Sequence, residues 1–275
     1  MGDEIRYPTS IGTSDPDSIT LLGHDLATDL IGKIGFSELA FWLIVGQRPT
    51  AGQARVFEAV LVALADHGLT PTAIAARVTF LSAPDSLQGA LAAGLLGGGS
   101  RFLGVTEDTG RFLAAAIQGL GIDASDAADG LAGWTERQWD EVADAAVRQA
   151  RAADRLVPGL GHPVHKDGDP RTPVIIAIAA EAGLRGPHLR LFEAIGRVHH
   201  LVLGKRLPLN GAGVCGAALA DAGVPAGLLR GVALLARTAG LLGHLSEETR
   251  RPIGMEIYRL VEEHAEYIDP DPTHG

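Results

Sequence analysis

The stretch LPLNGAGVCGAAL, residues 207–219, decides between two fold classes. Gly211, Gly213 and Gly216 have the G-x-G-x-x-G spacing of a dinucleotide-binding turn. Such a turn needs a preceding strand, a parallel sheet and an acidic residue about 20 positions later. Residues 230–236 read RGVALLA and contain no acid, and the sequence does not alternate strand and helix patterns. The stretch therefore favours a helical protein over a dinucleotide-binding one.

Helical patterns occupy most of the remaining sequence. RVFEAVLVALADHG has its apolar residues on one helical face and is predicted to end at Gly68. A later helix opens with Thr135 and Gln138 at capping-box spacing, and another is predicted to have Thr172 as its N-cap ahead of Pro173. No segment shows sustained apolar–polar alternation with β-branched residues. The sequence thus predicts an all-α fold.

Composition argues against several classes of function. The 275-residue chain has a formal net charge of −10, which argues against nucleic-acid binding through a basic face. The apolar stretch LLRGVALLARTAGLLGHL contains Arg230 and Arg237, so we expect a buried helix and no membrane partner. The one cysteine, Cys215, forms no internal disulfide and is expected to be a buried thiol. We expect a reducing, cytoplasmic location.

Histidines and arginines in three regions are candidates for binding a small anion. ADHG contains His67, the loop PGLGHPVHKDGDPR contains His162 and Arg171, and ARTAG and RRP contain Arg237 and Arg251. An arginine in an apolar helix needs an acceptor, because its charge does not titrate away. Converging guanidinium groups bind a di- or tricarboxylate through bidentate hydrogen bonds, and a neutral histidine beside them can donate to a carbonyl oxygen.

Each candidate also has an explanation that involves no ligand. A histidine at a helix end, such as His67, can interact with the helix dipole alone. Arg237 has possible internal partners in Glu247 and Glu248, and Arg251 can be a solvated charge. Other histidines are expected to be surface or satisfied core residues: His165, His199, His200 and His244. Neither H-x-x-x-H nor C-x-x-C occurs, so no metal is predicted.

In order and spacing these motifs resemble the citrate synthase superfamily, in particular its short branch of citryl-CoA lyase and the C-terminal part of ATP-citrate lyase. ADHG is similar to the family's substrate-binding histidine segment, and GLLGGGSRFLG to the "GLL…G.RFGG" of the lyase branch. GLGHPVHKDGDPR is similar to "G.GH.V…DPR", and LNGAG lies where the family has NVDG. ARTAGLLGH and the following RP are similar to the family's final helix and loop, so the resemblance covers most of the chain.

The resemblance implies an architecture and a pair of ligands. It implies a large helical domain, residues 1–103 and 213–275, a small helical domain, residues 104–212, and an active site between them. It implies a homodimer in which Arg251 reaches the site of the neighbouring subunit. It also implies a coenzyme A thioester as substrate, no tightly bound cofactor, and oxaloacetate or citrate as the carboxylate ligand.

The resemblance also assigns roles to individual side chains. His67 and His162 would contact the oxaloacetate part of the ligand, and His162 would polarise its ketone. Arg171 and Arg237 would clamp its carboxylates.

Two positions depart from the pattern of citrate synthase proper. Phe102 stands where that enzyme has the histidine that holds the thioester carbonyl, although the lyase branch also has Phe there. Alignment of LNGAG with NVDG matches Asn210 with the family's Asn and puts Ala212 at the position of the catalytic aspartate. An alanine methyl group cannot transfer a proton, so the catalytic loop lacks its base.

Two classes of function remain open at this point. The first is an enzyme that makes or breaks a C–C bond between an acyl-CoA and an oxo-acid, as in conversion of citryl-CoA to acetyl-CoA plus oxaloacetate. Its acid or base would then be Glu107, Asp108 or His165, and altered chemistry such as thioester hydrolysis is a variant of this hypothesis. The second is a non-catalytic carboxylate or CoA-ester binding protein, or a regulatory partner of an active paralogue.

Overall fold

The computed structural model describes residues 6–121, 130–131 and 133–270, and helices dominate these residues. The predicted all-α fold is therefore confirmed. In addition to a π-helical turn at Leu26–Leu30 and a 3₁₀ turn at Ala226–Leu228, the described helices are α1 (Phe36–Val45), α2 (Ala51–Ala65), α3 (Pro71–Ser82), α4 (Leu87–Leu96), α5 (Val105–Gln118), α6 (Glu136–Ala152), α7 (Arg171–Glu181), α8 (Pro187–Leu203), α9 (Gly211–Asp221), α10 (Leu229–Glu248) and α11 (Gly254–Glu263).

A small antiparallel sheet near the start of the chain is a feature that the sequence analysis misses. Its strands are β1 (Gly12–Ser14), β2 (Ile19–Leu21) and β3 (His24–Asp25), in the order β1-β2-β3. The turn between β1 and β2 is closed by Asp15, whose Oδ1 accepts a hydrogen bond of 2.8 Å from the backbone N–H of Ser18. Strands of two or three residues are too short to show the alternation by which strands are identified in a sequence.

The predicted helix starts have mixed outcomes. Thr135 and Gln138 form the predicted capping box, with each side chain bonded to the other's backbone N–H. The predicted N-cap at Thr172 is wrong, because α7 already begins at Arg171. The hydroxyl of Thr172 instead donates to the carbonyl oxygen of Leu209 at 3.0 Å, so it ties α7 to the segment before α9.

Helix α9 runs through the main hydrophobic core, and residues 213–219 are all buried. Its small residues allow close approach of a neighbouring helix, since a Cβ built on Gly216 would lie 2.1 Å from the carbonyl oxygen of Thr106 in α5. The residue Leu209, just before α9, makes an isolated β-bridge with Leu160 and belongs to no strand. The G-x-G-x-x-G spacing of residues 211–216 therefore serves helix packing and not a dinucleotide turn.

Helix α10 and the turn before it span Ala226–Glu248, a stretch long and apolar enough to cross a membrane by length and composition. This helix contacts α2, α3, α4 and α5, and it carries the buried residues Arg237 and Glu248. A second core cluster lies where α10 meets α3 and α4: Ala73, Ala76, Ala90, Leu241 and Leu245. This packing buries one face of the helix, and 33% of the apolar stretch is buried, so the predicted buried helix is found only in part. The absence of a membrane partner and the division into two domains stay predictions.

Candidate functional site

A cavity of about 760 Å³ is lined by loops and helix ends that are distant in the sequence. Its walls come from the loop after α2, the segment before α5, the loop between α6 and α7, the start of α9, and α10. The structure brings together seven of the eight residues predicted for the site: His67, Phe102, His162, Arg171, Asn210, Ala212 and Arg237. The eighth, Arg251, is exposed and does not line the cavity.

His162 is oriented by the loop in which it lies. Its Nδ1 accepts hydrogen bonds from the backbone N–H groups of Val164 at 3.1 Å and His165 at 2.9 Å. A neutral imidazole that accepts at Nδ1 carries its proton at Nε2. Burial, and then the neighbouring His165, lower the pKa of His162. His162 is therefore a neutral ring with one N–H free to donate into the cavity.

His165 joins His67 and His162 in a histidine cluster that the sequence analysis misses. The ring of His165 stacks on that of His162 with centroids 4.5 Å apart, and its Nε2 lies 3.3 Å from Nε2 of His67. Burial, and then the positive charge of Arg171, lower the pKa of His67. The spacing H-x-x-H within one glycine-rich loop is the only signal in the sequence that could have indicated this contact.

The ligand nitrogens of this cluster lie within 4.8 Å of one another, close enough to surround a metal ion. A ligating imidazole normally donates its second N–H to an acceptor. Nδ1 of His162 instead faces two backbone N–H donors, so ligation through Nε2 would leave those donors opposed to a protonated Nδ1. The hydrogen bonding around His162 does not suit a metal, and the expectation of no metal stays a prediction.

Arg171 is held in the cavity wall by Asp169, a partner that the sequence analysis does not identify. Nε and Nη2 of Arg171 donate to the two carboxylate oxygens of Asp169 at 3.0 and 2.7 Å. Gly211 N–H donates to the same carboxylate at 2.7 Å. Burial raises the pKa of Asp169, but these hydrogen bonds outweigh burial and lower it below its usual range. A Cβ on Gly211 would lie 2.2 Å from Nε of Arg171, so only glycine allows this contact.

Arg237 is a buried cation whose partners are neutral. Its guanidinium donates to the carbonyl oxygen of Leu64 at 3.3 Å and to Oγ1 of Thr70 at 3.4 Å. The internal partners considered from the sequence, Glu247 and Glu248, pair instead with Arg77. Among the described residues no carboxylate forms a salt bridge with Arg237. Burial lowers its pKa, and a guanidinium remains charged despite such a shift.

The start of α9 carries Asn210 and Ala212. Oδ1 of Asn210 caps the helix by accepting from Gly213 N–H at 2.8 Å, and its Nδ2 donates to the carbonyl oxygen of Gly161 at 2.9 Å. Asn210 thus ties the start of α9 to the loop that carries His162. Ala212 lies in the first turn of α9 and presents a methyl group to the cavity.

Positive charge dominates the cavity although the whole chain is acidic, with a net charge of −10. In addition to Arg171 and Arg237, four cations line it that the sequence analysis does not single out: Arg101, Arg151, Arg155 and Lys205. The one carboxylate among its described lining residues is Asp108. A cleft of one charge sign concentrates ligands of the opposite sign, so this cavity is suited to a polyanion.

The fold and the cavity define a helical protein with a cleft lined mainly by cations. A family model described as "Citrate synthase, C-terminal domain" matches residues 23–260, most of the chain. The chain belongs to the citrate synthase family.

Solved and curated relatives agree with that membership. Citryl-CoA lyase from Hydrogenobacter thermophilus is 28% identical with a TM-score of 0.79, and the match covers 97% of this chain and 96% of that one. An aspartate-to-alanine mutant of ATP citrate lyase from Methanosaeta concilii, solved with (3S)-citryl-CoA, is 24% identical with a TM-score of 0.75 over 98% of this chain and 43% of that one. Citrate synthase 2 of Bacillus subtilis (strain 168) is 23% identical over 238 residues, 86% of this chain and 57% of that protein. The chain thus spans little more than half of the length of this curated relative.

Proposed function

We propose that the chain binds a coenzyme A thioester and a di- or tricarboxylate such as oxaloacetate or citrate, and makes or breaks the C–C bond between them. The specific reaction that we propose is conversion of citryl-CoA to acetyl-CoA plus oxaloacetate. The observation that carries this proposal is Arg237, a buried cation in the cavity wall with no carboxylate partner among the described residues. A buried charge without a counter-ion is costly, and an anionic ligand removes that cost.

The carboxylate end of the ligand is assigned to the part of the cavity that contains His67, Arg171 and Arg237. One guanidinium nitrogen of Arg171, Nη1, takes no part in the pair with Asp169. It donates a long hydrogen bond of 3.3 Å to the carbonyl oxygen of Ala63. Two guanidinium groups and an imidazole provide enough donors for two carboxylates.

His162 is assigned the role of polarising the ketone oxygen. Because its Nδ1 accepts from the backbone, its Nε2–H is the group available to that oxygen. A fixed neutral donor stabilises negative charge that develops on the oxygen in the transition state, whether the C–C bond forms or breaks.

The phosphates of coenzyme A are assigned to the remaining cations of the cavity. Arg101, Arg155 and Lys205 line it and form no salt bridge within the described part of the chain, and Phe102 lies beside them with 37% of its surface exposed. Coenzyme A is then a part of the substrate, and no tightly bound cofactor is proposed. A reducing, cytoplasmic location agrees with the single buried thiol of Cys215, whose pKa burial raises to about 12.

Arg251 is proposed to act in the neighbouring subunit of a homodimer. It lies outside the cavity of its own chain, on an exposed loop. The carboxylate of Glu248 fixes that loop, because its Oε1 accepts from the N–H groups of Ile253 at 3.0 Å and Gly254 at 2.7 Å. An exposed arginine on an ordered loop is suited to completing a site on a second copy.

Ala212 supports a second candidate function, that of a carboxylate or CoA-ester binding protein or a regulatory partner of an active paralogue. Loss of a general base lowers a rate by about 10²- to 10⁴-fold. The cationic cavity would still bind its ligands, so this candidate has the same affinity and no turnover.

The experiment is calorimetric titration with oxaloacetate, citrate, coenzyme A and acetyl-CoA, followed by an assay for conversion of citryl-CoA to acetyl-CoA plus oxaloacetate. Formation of the two products supports the enzyme, and binding without their formation supports the second candidate. Arg237→Ala should weaken oxaloacetate binding about 10- to 150-fold, the equivalent of one charge-assisted hydrogen bond. The matched control is Arg137→Ala, which removes an exposed arginine from α6. Equal oxaloacetate affinity in the two variants would refute the assignment.

A further inference from the structure

The proposed reaction needs a group that transfers a proton, and the alanine at position 212 cannot supply it. Asp108 is the one carboxylate among the described residues that line the cavity. Two other acids near the site are occupied: Asp169 by Arg171 and Gly211, and Asp66 by Gly68 N–H at 2.8 Å and by His244 at 2.9 Å. Neither of them lines the cavity.

Asp108 and Ala212 lie on α5 and α9, two helices that pack against each other. Thr109, next to Asp108, has its Oγ1 3.1 Å from a Cβ built on Gly159. Gly213, next to Ala212, would place a Cβ 2.7 Å from the Cα of the same Gly159. Gly159, Asp108 and Ala212 all line the same cavity.

The surroundings of Asp108 leave its carboxylate accessible from the cavity. Nη2 of Arg230 lies 3.5 Å from its Oδ1. Its side chain is 30% exposed, and within the described part of the chain its Oδ2 has no hydrogen-bond donor. The adjacent Glu107 differs, because it pairs with Arg111 at 2.8 Å and does not line the cavity.

We propose that Asp108 is the catalytic acid and base that replaces the aspartate missing at position 212. This inference rests on the proposed function. In the synthetic direction, Oδ2 of Asp108 takes a proton from the carbon next to the thioester carbonyl. The C–H bond breaks, its electron pair forms the enolate double bond, and the carbonyl pair moves to the thioester oxygen. In the cleavage direction the protonated carboxyl returns that proton to the enolate carbon.

The test is the exchange of the methyl hydrogens of acetyl-CoA with deuterium in D₂O, in the presence of oxaloacetate, followed by mass spectrometry. Asp108→Asn should lower the exchange rate by at least about 100-fold, the lower limit for loss of a general base. Calorimetric affinities for oxaloacetate and acetyl-CoA should change by less than about threefold, since the binding cations remain. Glu107→Gln is the matched control and should exchange like the unmodified chain.

Two further variants guard against a folding defect. Asp108→Glu keeps the carboxylate and should restore part of the exchange. Ala212→Asp, introduced together with Asp108→Asn, puts a carboxylate at the family's position and should also restore it. Exchange by Asp108→Asn within about threefold of the unmodified chain would overturn the proposal. The proposal would also be overturned if the unmodified chain bound oxaloacetate and acetyl-CoA but did not exchange the methyl hydrogens. The proposed binding of the two ligands would still hold in that case. Failure to bind either ligand would overturn the proposed function itself.

Discussion

Asp169→Asn should be among the most destabilising single substitutions at the site. The side chain of Asp169 has no exposed surface, and it accepts hydrogen bonds from Nε and Nη2 of Arg171 and from the backbone of Arg171 and Gly211. An asparagine would bring an NH₂ group against these donors and leave Arg171 without its counter-ion. Removal of one partner of a buried ion pair costs about 3–5 kcal/mol in the free energy of unfolding.

Urea denaturation near neutral pH measures this loss directly. Asp167→Asn is the matched control, because Asp167 is an exposed acid two residues away, and exposed substitutions change stability by less than about 0.5 kcal/mol. A loss below about 1 kcal/mol for Asp169→Asn would show that the pair adds little beyond an exposed salt bridge. That result would refute the reasoning.

The loss of stability caused by Asp169→Asn should depend on pH. Burial raises the pKa of Asp169, but the hydrogen bonds outweigh it, so the pKa in the folded chain lies below that in the unfolded chain. A depressed pKa contributes stability that is complete above the unfolded value of about 3.9 and disappears as the pH falls through the folded value. The stability difference between the unmodified chain and Asp169→Asn should therefore be constant above about pH 5 and shrink below about pH 4. A difference that grows on acidification would contradict this sign.

Two more substitutions follow from close contacts. Gly211→Ala should lower the free energy of unfolding by about 1–3 kcal/mol and weaken oxaloacetate binding, because the new Cβ would displace the guanidinium of Arg171. Urea denaturation measures the first effect and calorimetry the second. Arg77→Met should cost about 3–5 kcal/mol in urea denaturation, because it leaves the buried carboxylate of Glu248 unpaired.

Both substitutions have controls within the same chain. Gly231→Ala also places a methyl group in a helix, but no atom lies within 4 Å of the Cβ position, so stability should not fall. Glu247→Gln removes the half-exposed partner of Arg77, with 46% of its side chain exposed, and should cost less than about 1 kcal/mol. If either control is as destabilising as its partner variant, the contact named for that variant is not the cause.

The helices were predictable because their signals are local. The capping box at Thr135 and the apolar face of α2, from Val56 to Leu64, are each contained within a single helix and its cap. The N-cap at Thr172 fails because its hydroxyl bonds to Leu209, 37 residues away in the chain, and a long-range contact leaves no local pattern. The short strands before α1 have too few residues to produce a pattern at all.

The site was predictable where the family motifs name a residue, and not where a residue acts through a distant partner. His162 and Arg237 line the cavity as the resemblance implies. The stacking of His165 on His162 depends on the turn of one loop, which its sequence does not specify. The pairing of Glu248 with Arg77 joins residues 171 positions apart, so the sequence left Glu248 as a possible partner of Arg237.

That pairing also explains why no carboxylate among the described residues forms a salt bridge with Arg237. Arg77 takes up Glu248 and donates to Nδ1 of His244, which fixes the proton of His244 on Nε2, where it donates to Asp66. Asp66 is ionised and lies just before the loop that lines the cavity, so its negative charge acts on Arg237 from a distance without blocking its guanidinium. Glu247, Glu248 and Asp66 are thus paired with Arg77 and His244, and none of them forms a salt bridge with Arg237, the cation that faces the cavity.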